Sequence, residues 1–166
     1  MRITVVGTPA PQGSKRHVGN GVMVESSKKV KPWRQDVKYA ALEVLEEGAP
    51  SLTGPIRITV TFFLARPKGH YGTGRNSGRL RETAPKVPAG KPDIDKLLRS
   101  TFDALGEAVV FNDDAQITDV AVRKRFADGR PPGAVIDVQV AGVDIPVQLP
   151  ATHTSEILST DAEATL

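Results

Sequence analysis

Apolar residues recur along this chain with two different periods, and those periods divide it into helices and strands. From Pro32 to Glu47, the residues Trp33, Val37, Ala40, Ala41, Val44 and Leu45 share one helical stripe. Pro32 suits the first helical position and Gly48 the position just past the end. From Pro55 to Ala65 the period falls to two: Ile56, Ile58, Val60, Phe62 and Leu64 alternate with Arg57, Thr59 and Thr61, the pattern of a strand with one buried face. The opening residues Met1 to Val6 read as a short strand that reaches a turn at Gly7-Thr8-Pro9.

Neither period survives in residues 66–92, a stretch rich in glycine, proline and basic side chains. Connections this long are functional or disordered in most domains; a basic segment that orders on a phosphate backbone satisfies both descriptions. A second helix is predicted to start near Asp93, with Ile94, Leu97, Leu98, Phe102 and Leu105 on one stripe and Gly106 interrupting it. Strands are predicted at about Ile117–Phe126, with Val120, Val122 and Phe126 on one side, and at about Ala134–Val143. The run Asp128-Gly129-Arg130-Pro131-Pro132-Gly133 supplies hairpin-turn chemistry between them. The expected fold is a single α/β (α+β) domain over residues 1–143, a small mixed sheet of four strands with two helices packed on it, in the order β-α-β-loop-α-β-β. Residues 144–166 lack a period and read as a loosely attached tail.

Composition narrows the chemistry. The chain has no cysteine, which removes disulfides, cysteine-ligated zinc and a thiol nucleophile together. It has no run of about 18 apolar residues to span a membrane. A cytoplasmic setting fits these features. The net charge of +3 hides a division: residues 1–92 carry 16 Lys and Arg against 6 Asp and Glu, and residues 93–166 carry 6 against 13. A basic half joined to an acidic half suggests a polyanion-binding surface beside a carboxylate-rich site.

Those carboxylates are patterned. Pro92 disfavours helix at Lys91, so Asp93 and Asp95 fall in the first turn of the second helix, pointing away from its apolar stripe. Free N–H groups and the positive end of the helix dipole keep both ionised. Asp113 and Asp114 sit in a turn before the next strand, where one acid can fold back towards the helix start. Each has an ordinary structural use as well: Asp93 as an N-cap, Asp95 as an early-helix acid, Asp113 and Asp114 as turn residues. Together they make a plausible open site for a hard Mg²⁺ ion, with remaining positions left to water and substrate phosphate. The scattered His17, His70 and His153 read as non-catalytic. Gly72-Thr73-Gly74 neither follows a strand directly nor opens a helix, so no nucleotide-binding loop, and no nucleotide cofactor, is expected.

Three blocks in order, Pro92-Asp93-Ile94-Asp95-Lys96-Leu97, Phe102-Asp103-Ala104-Leu105 and Asp113-Asp114-Ala115-Gln116-Ile117, resemble the RusA family of Holliday-junction resolvases, crossover junction endodeoxyribonucleases often encoded by phages and prophages. The family pattern is roughly D-x-D-N-L-x-K, F-D-A-L and D-D-x-Q-[VI]. Specific similarity covers Lys91 to Phe126, and the strand–helix order extends it to about residue 143. The resemblance implies a metal site of Asp93, Asp95 and Asp114, with Asp113 structural or supporting. It places Arg99 where the family usually has a catalytic lysine, a change that keeps phosphate contact but loses a proton donor. Lys96 stands where asparagine is common and reads as a phosphate contact or a surface residue.

The expected function is therefore Mg²⁺-dependent (Mn²⁺ substituting) hydrolysis of branched DNA, resolving four-way junctions by paired nicks in recombination and repair. A symmetric junction calls for a C2 homodimer, which the family resemblance also implies. Lys15, Arg16, Lys28, Lys29, Lys31, Arg75, Arg79, Arg81 and Lys96 are the expected DNA contacts, giving affinity without sequence readout. A nuclease acting on flaps or forks, or a non-enzymatic basic DNA-binding protein, are the alternatives.

Overall fold

Strand β4 (Ile56–Leu64) organises the molecule, because it has neighbours on both edges and one face buried along its nine residues. Ile56, Ile58, Val60 and Phe62 are inaccessible to solvent and Leu64 nearly so. The computed structural model describes residues 1–13, 15–17, 23–25 and 28–142, with the backbone alone at 15–17 and 23–25. The four-stranded sheet runs in the order β1 (Arg2–Val6), β6 (Gly133–Val140), β4, β5 (Ile117–Phe126). β1 and β4 both flank β6 antiparallel, whereas β5 lies parallel to β4. Parallel neighbours need a crossover, and residues 65–116, containing helix α2 (Ile94–Glu107), supply it. Helix α1 (Val30–Val44) packs against α2 and β1. A small hairpin, β2 (Lys15–His17) with β3 (Met23–Glu25), precedes α1 and has no counterpart in the periodicity of the sequence.

The α+β class and the two-helix, four-strand content agree with the sequence reading, but several details differ. β5 and β6 do not form the expected hairpin: β4 lies between them, and the connection from Ala127 steps across its end, Ala127 N–H donating to Leu64 O at 2.8 Å. Turn residues mark where a chain reverses, not which strand it reverses onto. The most apolar strand takes the middle, where both rows of its backbone groups are paired. Val120 shares a side with Val122 and Phe126, as expected, but is 41% exposed because β5 is an edge strand. α1 starts two residues before Pro32, which sits harmlessly in a first turn whose N–H groups have no partner anyway. It ends at Val44, so Gly48 serves a separate turn closed by Ala49 N–H on Glu46 O (3.0 Å).

The buried face of α2 is also rotated from the expected stripe. Leu97, Ser100, Thr101, Ala104 and Leu105 are buried, while Leu98 and Phe102 are only partly so. Two buried hydroxyls are tolerated because each is satisfied: the single Ser100 Oγ proton lies between two acceptors, Ala10 O (2.7 Å) and Leu97 O (2.9 Å), and Thr101 Oγ1 donates to Leu97 O (2.9 Å). Thr101 Oγ1 also accepts from Trp33 Nε1 (3.2 Å), joining the two helices over Phe62. Gly106 does not interrupt α2, which continues to Glu107.

Past that end, Val109 N–H bonds Gly106 O and Val110 N–H bonds Leu105 O, a Schellman closure with Val109 at φ 59°. A β-branched residue is costly in that conformation. Val109 is 58% exposed, so Val109→Gly should stabilise the fold by about 0.5–1 kcal/mol net of the flexibility glycine adds to the unfolded chain. Urea denaturation curves of the two proteins measure it; an unchanged or lowered midpoint contradicts the strain.

Side-chain contacts tie the 66–92 connection to the end of the sheet. Arg66 makes a two-pronged ion pair with Asp128 (2.5 and 2.7 Å), donates to Pro85 O (2.9 Å) and lies 4.0 Å over the Phe126 ring. His70 meets the same ring edge-on at 5.3 Å. No described helix is long and apolar enough to cross a membrane. The expected tail, 144–166, lies outside the described residues.

Candidate active site

The start of α2 presents the D-x-D pair. Asp93 is the N-cap in extended conformation (φ −69°, ψ 138°), but its side chain does not cap the helix. It turns instead to Lys96 Nζ at 2.8 Å, both side chains roughly half exposed. The Asp93 carboxyl is held below the usual carboxylate range, first by the hydrogen bond and charge of Lys96, then by the charges of Lys91 and Lys124. Folding thus loosens its proton. The linked stability is present above the ordinary aspartate value and is lost as pH falls through the lowered one.

Asp95 is exposed in the first turn and has no hydrogen-bond or ion-pair partner among the described residues. Arg99, one turn further on, is likewise exposed and unpaired among them. The neighbour that might have neutralised it, Asp103, pairs with Arg34 at 3.2 Å, and Arg34 also binds Glu107. A guanidinium beside the acid pair is therefore left available to a ligand.

Asp113 and Asp114 divide their labour. Asp113 Oδ1 accepts Ala115 N–H (2.8 Å), and Gln116 Oε1 accepts the N–H groups of Asn112 (2.9 Å) and Asp113 (3.0 Å), a reciprocal capping box around a 3₁₀ turn over Asp114–Gln116. Gln116 Nε2 donates to Leu52 O and Gly54 O (3.1 Å each), anchoring the turn ahead of β4. That leaves the exposed Asp114 carboxylate without a described partner, on a turn packed against α2.

Three acids so placed have the donor chemistry for a hard cation, being exposed oxygen ligands of which only Asp93 has a partner, a solvent-facing lysine. The fit is one of chemistry: among the described residues, no three His, Cys, Asp or Glu side chains are gathered around one point. Asp93 and Asp95 share the first turn of α2, but Asp114 is not brought to them. Its turn is tied to Leu52 and Gly54 ahead of β4, and β5 runs from there to Lys124, which meets Pro92 at the α2 start, so Asp114 lies towards the other end of the helix.

Basic groups line the approach. Asp93, Lys91, Lys96 and Lys29 border an open cleft of about 570 Å³ whose far wall is the Thr8–Gly13 segment, a volume in the range of small-ligand sites. Gln12 N–H bonds Lys96 O (2.9 Å), tying that wall to α2. The larger groove, about 880 Å³, lies away from the acids between the helices and is lined by Lys28, Lys31, Arg34 and Lys38 among others. Of the expected DNA contacts, Lys28, Lys29, Lys31, Arg75 and Arg79 are exposed. Arg81 is partly committed to the fold through Nε on Tyr71 O (2.8 Å), and Lys96 is committed to Asp93. The side chains of Lys15 and Arg16 lie outside the described residues, as do those of His17 and His153.

One residue escaped the sequence reading. Lys124 follows Val120 and Val122 and precedes Phe126 on the helix-facing side of β5, and its amine donates to Gly90 O (2.8 Å) and Pro92 O (2.9 Å), immediately before Asp93. The trace it leaves in the sequence is a lysine on the apolar side of an alternating strand.

A family model described as Endodeoxyribonuclease RusA matches residues 6–139 of this chain. An uncharacterised protein of Bacillus subtilis (strain 168), YqaN, is 31% identical over 133 residues, covering 77% of this chain and 89% of its own length.

Proposed function

Because the chain belongs to the RusA endodeoxyribonuclease family, and is therefore an enzyme that hydrolyses DNA, we propose that it is a Mg²⁺-dependent resolvase that cuts four-way junctions by paired nicks as a homodimer. The observation that carries this reading is the exposed Asp93–Asp95 pair at the α2 start, with a lysine-lined cleft alongside. Asp93 and Asp95 would hold the ion, Mn²⁺ serving in its place, while Asp114, towards the other end of α2, would not share it within one copy of the chain. When bound to the pair, the ion supplies a polarised phosphate and a more acidic water.

The chain's own groups do the rest. Arg99 reaches a non-bridging phosphate oxygen and stabilises the charge that develops as the bond breaks, a role open to a group with no internal partner. Lys28 and Lys29 hold flanking phosphates, fixing the scissile bond without reading sequence. With a cation on Asp93, Lys96 would be free to contact a substrate phosphate. Two copies related by a two-fold axis would place two such sites on the two-fold symmetric junction.

Cleavage of a four-way junction, a flap and a linear duplex, compared at equal concentration with Mg²⁺, tests the reading. Symmetric paired nicks in the junction and little cutting of the duplex are expected. Equal rates on linear duplex would remove the resolvase assignment, and preferential cutting of the flap would move the enzyme to a different branched substrate.

A further inference from the structure

We propose that Lys124 is a positioning residue for DNA cleavage: by tying the Gly90 and Pro92 carbonyls to the sheet, it sets where α2 begins and so where the Asp93 and Asp95 carboxylates stand. The inference rests on the reading of those acids as the reacting centre.

The geometry is specific. Lys124 faces the helices from β5 and pairs in register with the buried Phe62 of β4, in a row otherwise made of Val120, Val122 and Phe126. An apolar side chain would serve packing there, and a lysine must carry its amine past the edge of the core to find acceptors. Those acceptors are two carbonyls of the three residues that lead into α2, at 2.8 and 2.9 Å. Among the described residues, these are the hydrogen bonds that attach Gly90 and Pro92 to the sheet. Asp93 follows directly, and its carbonyl accepts the first helical bond, from Leu97 N–H at 3.1 Å. Strand, lead-in segment and acid pair are thus one mechanical linkage. The ammonium also adds positive charge near Asp93.

Lys124→Met, which keeps the length of the stem and removes both donors, is the test, with Lys124→Arg as the conservative variant and Lys124→Gln in reserve should the methionine form not fold. The melting temperature and metal-free binding to a four-way junction should stay close to those of the unaltered protein. Binding of Mn²⁺ to the DNA-free protein, followed by electron paramagnetic resonance of the free ion, should weaken about tenfold or more. Single-turnover cleavage of saturating junction should fall about 10–100-fold, and Lys124→Arg should recover part of both losses. A folded Lys124→Met or Lys124→Gln protein with unaltered Mn²⁺ affinity and cleavage overturns the proposal. So does a loss of cleavage that merely tracks the fraction unfolded. Asp95→Asn is run alongside: if it too binds Mn²⁺ and cleaves normally, the reading of the acids has failed, not the role of Lys124.

Discussion

Asp95→Asn should abolish Mg²⁺-dependent cleavage, by about a thousandfold or more, while leaving junction binding intact or tighter. The substitution changes charge and almost nothing else. Asparagine has the size of aspartate, and the exposed Asp95 side chain has no described partner whose loss could disturb the fold. A neutral amide is a weak ligand for a hard cation, and several kcal/mol of lost transition-state stabilisation at 1.36 kcal/mol per decade give the thousandfold figure, to order of magnitude. Binding moves the other way because one negative charge facing the phosphates is gone. Single-turnover cleavage and a metal-free gel shift on the same preparation separate the two effects. Nicking at an unaltered rate in Mg²⁺ would sink the catalytic assignment and leave the acids as helix-start and turn residues.

The largest effect on stability is expected at Trp33. Its ring is inaccessible to solvent, lies 6.3 Å from the Phe62 ring, and donates Nε1–H to Thr101 Oγ1 at 3.2 Å. Trp33→Ala leaves a cavity where α1, α2 and β4 meet and strips a buried hydroxyl of one partner, a loss of about 3–5 kcal/mol. That is a large fraction of the roughly 5–15 kcal/mol that holds a typical domain together. Trp33→Phe isolates the polar part: it keeps an aromatic ring near Phe62 and should cost about 1–3 kcal/mol. Trp33 is the chain's single tryptophan, so guanidinium unfolding must be followed by far-UV circular dichroism in all three proteins. A cost under about 1 kcal/mol for the alanine form would show that the helix seam does not depend on this ring.

How much of this the sequence disclosed depended on the range of the interaction involved. The stripe of α1, the alternation of β4 and the bounds of β5 follow from local burial and were legible to within a few residues. Sheet order was not, because the Asp128–Gly133 turn specifies a reversal, whereas the partner of β6 is chosen by competition among strands for the middle position. Ser100 and Thr101 looked like the polar side of α2, since nothing in the sequence announces that Ala10 O, Leu97 O and Trp33 Nε1 satisfy them inside. At the site, the D-x-D pair and its exposure could be read from Pro92 and the helix period. That Asp113 spends its side chain on a cap while Asp114 does not is a matter of hydrogen-bond geometry that spacing alone cannot decide. Lys96 was open between two uses, and its 2.8 Å contact with Asp93 adds a third: a cation that occupies the acid until something displaces it.

The position of β5 at the rim of the sheet has a consequence for self-association. Among the described residues, this ten-residue strand is paired on one side only, which leaves a row of backbone donors and acceptors without a strand partner, the usual template for unwanted edge-to-edge joining. Here Arg123, Lys124 and Arg125 succeed one another along that rim, outnumbering Asp119, the strand's single acid. A second copy offering the same rim would bring like charge against like charge. The basic strand therefore also guards the sheet against joining edge to edge with a second copy.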